Sequence, residues 1–182
     1  NPRYREMILG KELHKIGDLS AAFLAPPSGE HLMFAYFESY LVVRYVVETY
    51  GIESMRQVLK ALRAGAPVNE ALARHTATLE ELETGFAAFA KQQANAMAPK
   101  LEWEKPEPED LLFKGGQLTE WARKNPKNYY VLSERARQWV RAQKWQEALE
   151  PLKELVDAFP GQIGAQSPYA LLAQAYRGLK QT

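Results

Sequence analysis

A chain of 182 residues has room for one large domain or two small ones, each with a core of its own. Its 23 basic and 22 acidic residues are interspersed and leave a net charge of +1, which argues against a nucleic-acid protein or a ligand of anionic membranes. With no cysteine, disulfides, thiolate metal sites and cysteine nucleophiles are all excluded, while the compartment, cytoplasmic or exported, stays open.

The chain starts at Asn1 with no basic segment leading into an apolar one, as expected of a piece of something longer. Arg3 to Ile16 reads as a helix with a loose stripe of Tyr4, Met7, Ile8 and Leu13, ended by Gly17 and Asp18. Pro26, Pro27 and Gly29 make the next stretch mostly loop, with one turn of helix around Ser20 to Phe23. Ser28 is placed to cap the following helix, with Glu30 and His31 in its first turn.

That helix, about Glu30 to Tyr50, is apolar on almost every face, with Phe34, Tyr36, Phe37, Tyr40, Leu41, Val43, Val46 and Val47. Glu38, Arg44 and Glu48 make it too polar for a lipid-facing span, so it is expected as a core helix covered by several neighbours. Gly51 supplies its stop. Ile52 to Arg63 forms a shorter helix with Met55, Val58, Leu59 and Leu62 inward, and Val68 to Arg74 adds two turns. Thr78 and Glu81 form a capping box ahead of a stripe of Leu79, Leu82, Phe86, Phe89 and Ala90.

Residues 98–110 are rich in proline and charge and read as a linker between a first domain, 1–97, and a second, 111–182. Helices are expected at about Glu109 to Arg123, Tyr129 to Ala142, Lys144 to Phe159 and Pro168 to Lys180, so the fold class is all-α. Between Tyr129 and Pro160 the residue types match a tetratricopeptide (TPR) unit, a helix pair of about 34 residues. Ala136 and Ala148 are the small contacts, Trp139 and Leu152 fill the space beside them, and Pro160 ends the unit. Leu172, Ala173 and Tyr176 begin a second unit, and Leu118, Trp121 and Pro126 suggest the end of a preceding one. A generic helical hairpin is the alternative.

Stacked TPR units line a concave groove with their first helices. In this register Tyr130, Ser133, Arg137 and Arg141, followed by Gln174 and Arg177, face that groove, where the arginines could clamp a carboxylate of an acidic protein or peptide partner. The plainer alternatives are solvated surface charges or a groove packed against the first domain.

Catalytic chemistry is missing. His14, His31 and His75 have no metal-ligand partner at helical spacing, no H-E-x-x-H occurs, and no phosphate loop or nucleophile elbow is present. No residue is therefore assigned to catalysis, to a cofactor or to a metal. Glu38 is the one carboxylate set among aromatics. Burial would raise its pKa toward a general-acid role, while the structural alternative is a hydrogen bond to a helix end or a tyrosine hydroxyl.

The segment AYFESYLVVRYVVETYG, Ala35 to Gly51, with Asn69, Glu70, Ala71 and Leu72 and the Phe-rich stretch at Phe86 and Phe89, resembles the C-terminal helical part of bacterial peptidase-MA-like proteins. These are gluzincin metallopeptidases, many of which carry TPRs behind the peptidase domain. The resemblance covers about Leu19 to Gln93. In that family the zinc ligands lie in H-E-x-x-H and in a glutamate of a W-x-x-E-G segment, both upstream of the matched region and absent from this chain. The resemblance implies a non-catalytic region of a larger protein, whose zinc would sit in the part not matched here. A stand-alone interaction module, with the first domain capping the TPR array, is the second reading.

Overall fold

Several helices of this protein begin where short polar side chains hold the first free amides. Asn1, Ser28, Thr78, Thr119 and Asn128 each accept a hydrogen bond from a first-turn N–H. The computed structural model describes residues 1–107, 113–114 and 117–181, and over these the fold is all-α. Two units divide after Ala96.

The first unit holds α1 (Pro2–Leu9), a 3-10 turn (Ile16–Asp18), α2 (Leu19–Leu24), α3 (Gly29–Arg63), α4 (Val68–His75) and α5 (Leu79–Asn95). Its core joins Met7 and Ile8 of α1 to Phe34, Leu41 and Val46 of α3 and to Leu82 and Phe86 of α5. The capping box at Thr78 and Glu81 forms as its residue types predict. At Gly51 the backbone leaves helical geometry, with φ +86°, so α3 is two helical legs joined at the glycine expected to stop the first.

Three expectations are corrected here. The first helix ends at Leu9 rather than Ile16, because Gly10 breaks it and the chain beyond runs across to α3. The turn of helix after it is longer than expected and fills Leu19–Leu24. The central helix is not covered all round: Phe34, Leu41 and Val46 are buried, but Met33, Tyr36, Tyr40 and Val43 are about half exposed, and Leu59 is exposed as well.

The second unit holds β1 (Phe113–Lys114), β2 (Gln117–Leu118), α6 (Glu120–Lys124), α7 (Tyr129–Arg141), α8 (Trp145–Ala158) and α9 (Pro168–Gln181). β1 and β2 pair antiparallel, Phe113 opposite Leu118. Among the described residues of the helix expected over Glu109 to Arg123 only α6 is helical and Leu118 lies in a strand, while 109–112 and 115–116 lie outside the described residues. In the sequence a pair of glycines separates Lys114 from Gln117, a composition that suits a hairpin.

The stretch read as a linker is packed over its first part. Ala98 and Leu101 are buried in the second core, and the Trp103 ring stacks on Tyr129 with centroids 4.8 Å apart. Asn128, with no exposed surface, ties it down by donating to the Glu104 carbonyl at 2.7 Å. Residues 108–110 lie outside the described residues.

In the α7–α8 hairpin, Ala136 and Ala148 are both fully buried, as the close approach of the two helices requires. On α9 the inward residues are Leu171, Leu172, Ala175, Gly178 and Leu179. Ala173 and Tyr176, expected to repeat the inward pattern, are exposed instead, because α9 turns the face two residues further on toward α8. Gly178 is where Trp145 lies closest, and a β-carbon there would overlap the indole. Gly178→Ala is expected to destabilise the second unit by about 1–3 kcal/mol through overpacking. Gly161→Ala, where the added carbon meets only an ordinary contact, is expected to be nearly neutral. Urea unfolding of the two variants checks this, and equal midpoints would show that Trp145 moves aside freely.

Candidate functional site

Two places gather polar chemistry, one in each unit. In the second, the 13-residue α7 carries Glu134, Arg137 and Arg141 on one face, since residues three and four apart on a helix are neighbours. α8 starts with Trp145 beneath them, and α9 brings Leu171 and Gln174 from the other side. Together with Gln166 these side chains line a cavity of about 630 Å³. That is a common size for a site that takes a ligand.

Among the described residues neither Arg137 nor Arg141 forms an ion pair, although Glu134 shares the cavity. By contrast Arg135, on the neighbouring face, is engaged by Glu150 at 3.1 Å. A guanidinium left without a carboxylate beside an indole and two amides offers paired N–H donors to an incoming carboxylate.

Of the six groove residues expected from sequence, Arg137, Arg141 and Gln174 come together here. Arg177 lines an adjoining cavity of about 520 Å³ that shares Trp145 and Gln174. Ser133 is buried at the floor, beside a void of about 10 Å³, the lower limit for a single water. Tyr130 lines none of these cavities; its ring packs edge-on against Tyr129 at 5.4 Å and its N–H donates to the Asn128 cap. Sequence reasoning missed Glu134, Trp145 and Gln166. The spacing of Glu134 from Arg137 and Arg141 could have found the first, and nothing in the stretch GQIGAQSP points to Gln166.

In the first unit Glu38 has no exposed surface. One carboxylate oxygen accepts the His14 backbone N–H at 2.7 Å and the other lies 2.8 Å from His14 Nδ1. The partner is thus a histidine from the segment beyond α1, not a helix end or a tyrosine. Burial raises the Glu38 pKa above its ordinary value, and the His14 contacts oppose that shift without cancelling it. With both oxygens taken and no surface open, the carboxyl holds the segment after α1 onto α3 and has no access to a substrate.

His31 lies in the first turn of α3, as expected. Its ring meets the Ser28 hydroxyl at 2.8 Å and Glu12 at 3.2 Å, and Arg3 reaches the same Glu12 at 3.1 Å. Among the described residues no group of three or more potential ligands is placed to hold a metal ion, and no helix is long and apolar enough to cross a membrane. No protein-family model, curated protein or solved structure matches the chain.

Because the Glu38 pKa is raised in the folded state, its contribution to stability is full below the unfolded pKa and is lost as pH rises through the folded one. Glu38→Gln removes that titration. Wild-type stability relative to Glu38→Gln is therefore expected to fall as pH rises above the ordinary glutamate range and through the raised folded pKa. Urea unfolding of both proteins across that rise checks the sign; a relative gain with rising pH would mean that the His14 contacts outweigh burial.

Proposed function

We propose that this chain is a non-catalytic, protein-binding region of a larger metallopeptidase-like protein, in which the TPR-like second unit captures an acidic peptide or a free C-terminus. The observation that carries this reading is the pair Arg137 and Arg141, without ion partners among the described residues, in a cavity of about 630 Å³ walled by Trp145 and Gln174. A carboxylate is the group that the two forks fit best, because it accepts two parallel N–H bonds donated by a guanidinium. Leu171 and the Trp145 ring give the apolar wall that an extended peptide needs beside its charge.

The parent protein is inferred from the resemblance of residues 19–93 to the helical part of peptidase-MA-like proteins. In this reading the catalytic zinc and its ligands belong to the parent, and this chain supplies neither. Reading the coding sequence upstream for H-E-x-x-H and W-x-x-E-G tests that part separately. Their absence would leave the stand-alone interaction module.

The binding part is tested on a panel of acidic, neutral and basic peptides with free or amidated C-termini. Acidic or free-carboxylate peptides are expected to bind, and Arg137→Ala with Arg141→Ala to weaken them by about 1–3 kcal/mol with the helical signal unchanged. Glu134→Gln is expected to tighten binding, since it removes the one carboxylate that competes for the same arginines within the cavity. Equal binding by the double mutant would reduce both arginines to surface charge.

A further inference from the structure

Four side chains of α3 stand open where an apolar helix would bury them: Met33 is 57% exposed, Tyr36 58%, Tyr40 55% and Val43 48%. They follow one another at steps of three, four and three residues, the spacing of a seam along which one helix packs on another at a shallow angle. The aromatic members are braced from the side. Phe23 meets Tyr36 edge-on at 5.0 Å, and Phe37 lies 6.1 Å from Tyr40. Between Glu30 and Arg44 the solvent side of α3 carries no carboxylate, ammonium or guanidinium, because Glu38 faces the core. Between its ends the seam therefore carries no charge of its own, and it meets one at Tyr40, to whose hydroxyl Arg44 donates.

We propose that α3 pairs with α3 of a second copy of this chain, antiparallel, about a two-fold axis at the level of Glu38. The order of steps reads the same in both directions, so a reversed copy is the complement of the seam. Met33 then meets Val43 of the other copy, and Tyr36 meets its Tyr40. The same residues serve both sides, as a two-fold interface requires.

Charge selects this direction. Glu30 lies at one end of the seam, and Arg44 flanks the other. Antiparallel pairing sets Glu30 across from Arg44 of the other copy, twice, whereas parallel pairing sets like charges together. In the single copy Arg3 lies 3.5 Å from Glu30, while Arg44 is held by Glu48 at 2.7 Å and by Gln93 at 3.2 Å and lies over the Phe89 ring.

The area sets the strength. Two half-exposed tyrosines offer about 100 Å² each, and methionine and valine rather less, so the four supply somewhat under about 400 Å² per copy. That is about half of what a standard interface takes from each partner. Leu24 at the end of α2, 86% exposed, is the nearest further apolar contribution from the element that braces Tyr36. The dimer is accordingly reversible, filling at tens of micromolar or so rather than obligate.

Sedimentation of the whole chain from about 1 to about 100 µM tests the pairing. The expected result is a shift from monomer to dimer, abolished by Tyr40→Glu and by Val43→Lys with the helical signal unchanged, both positions being exposed. Glu30→Arg alone is expected to weaken the dimer about tenfold, and adding Arg44→Glu to restore it. The chain has no cysteine, so orientation can be read by cross-linking. Tyr36→Cys mixed with Tyr40→Cys is expected to give a covalent dimer, and neither variant alone. A monomer throughout, a dimer that survives Tyr40→Glu, or a covalent dimer from Tyr36→Cys alone would each overturn the proposal.

Discussion

Close approach between helices at residues with little or no side chain is the constraint on which both units depend. Ala71 and Ala90 are fully buried in the first core, and Ala136, Ala148 and Ala175 in the second. At Gly85 and Gly178 even a β-carbon is excluded, by the Tyr45 hydroxyl in one unit and the Trp145 indole in the other. Short residues bring helix axes near enough for large neighbours to close over the contact. In the second unit this choice also shapes the cavities beside α7. Trp145 lies flat over Gly178 and so becomes the shared wall of two cavities rather than a plug in one.

The charged groups divide by whether the fold has already satisfied them. Glu38 is buried and saturated by His14, so its role is to fasten the segment after α1 to the long helix. A buried carboxyl of this kind is costly to leave unpaired, which makes it a strong local constraint and a poor catalyst. Arg137 and Arg141 are the reverse case, half exposed or exposed and unpaired among the described residues, though an acidic side chain shares their cavity. Binding energy is available where a group is positioned but still unpaired. That contrast places the candidate chemistry in the second unit and structural duty in the first.

The apolar seam on α3 belongs to neither class. Apart from the contact of Tyr40 with Arg44, its residues serve no polar partner that the structure shows, yet they are spaced as regularly as the buried stripe beside them. A helix whose two sides are both apolar but only one of which is covered has surface in excess of its own unit's needs.

Local chemistry determined much of this protein directly from sequence. Asn128, Ser28 and the Thr78–Glu81 box start their helices where short-range hydrogen bonding predicts, and Gly51 interrupts α3 because positive φ suits glycine. The pairing of Ala136 with Ala148, and the meeting of Arg137 and Arg141 with Gln174, follow from helical periodicity once two helices are known to stack. Tertiary structure decided the rest, because those outcomes depend on residues far apart in the chain. The partner of Glu38 lies 24 positions away on a segment that reads as helix until Gly10 is seen to end it. Which face of α9 turned inward was settled by the fit of Gly178 under Trp145, and the repeat pattern alone had pointed to Ala173 and Tyr176. The stretch from Ala98 to Glu104 looked like a linker because proline and charge are surface compositions. It packs because Leu101 and Trp103 find a core and Asn128 a carbonyl, contacts that no window of the sequence contains.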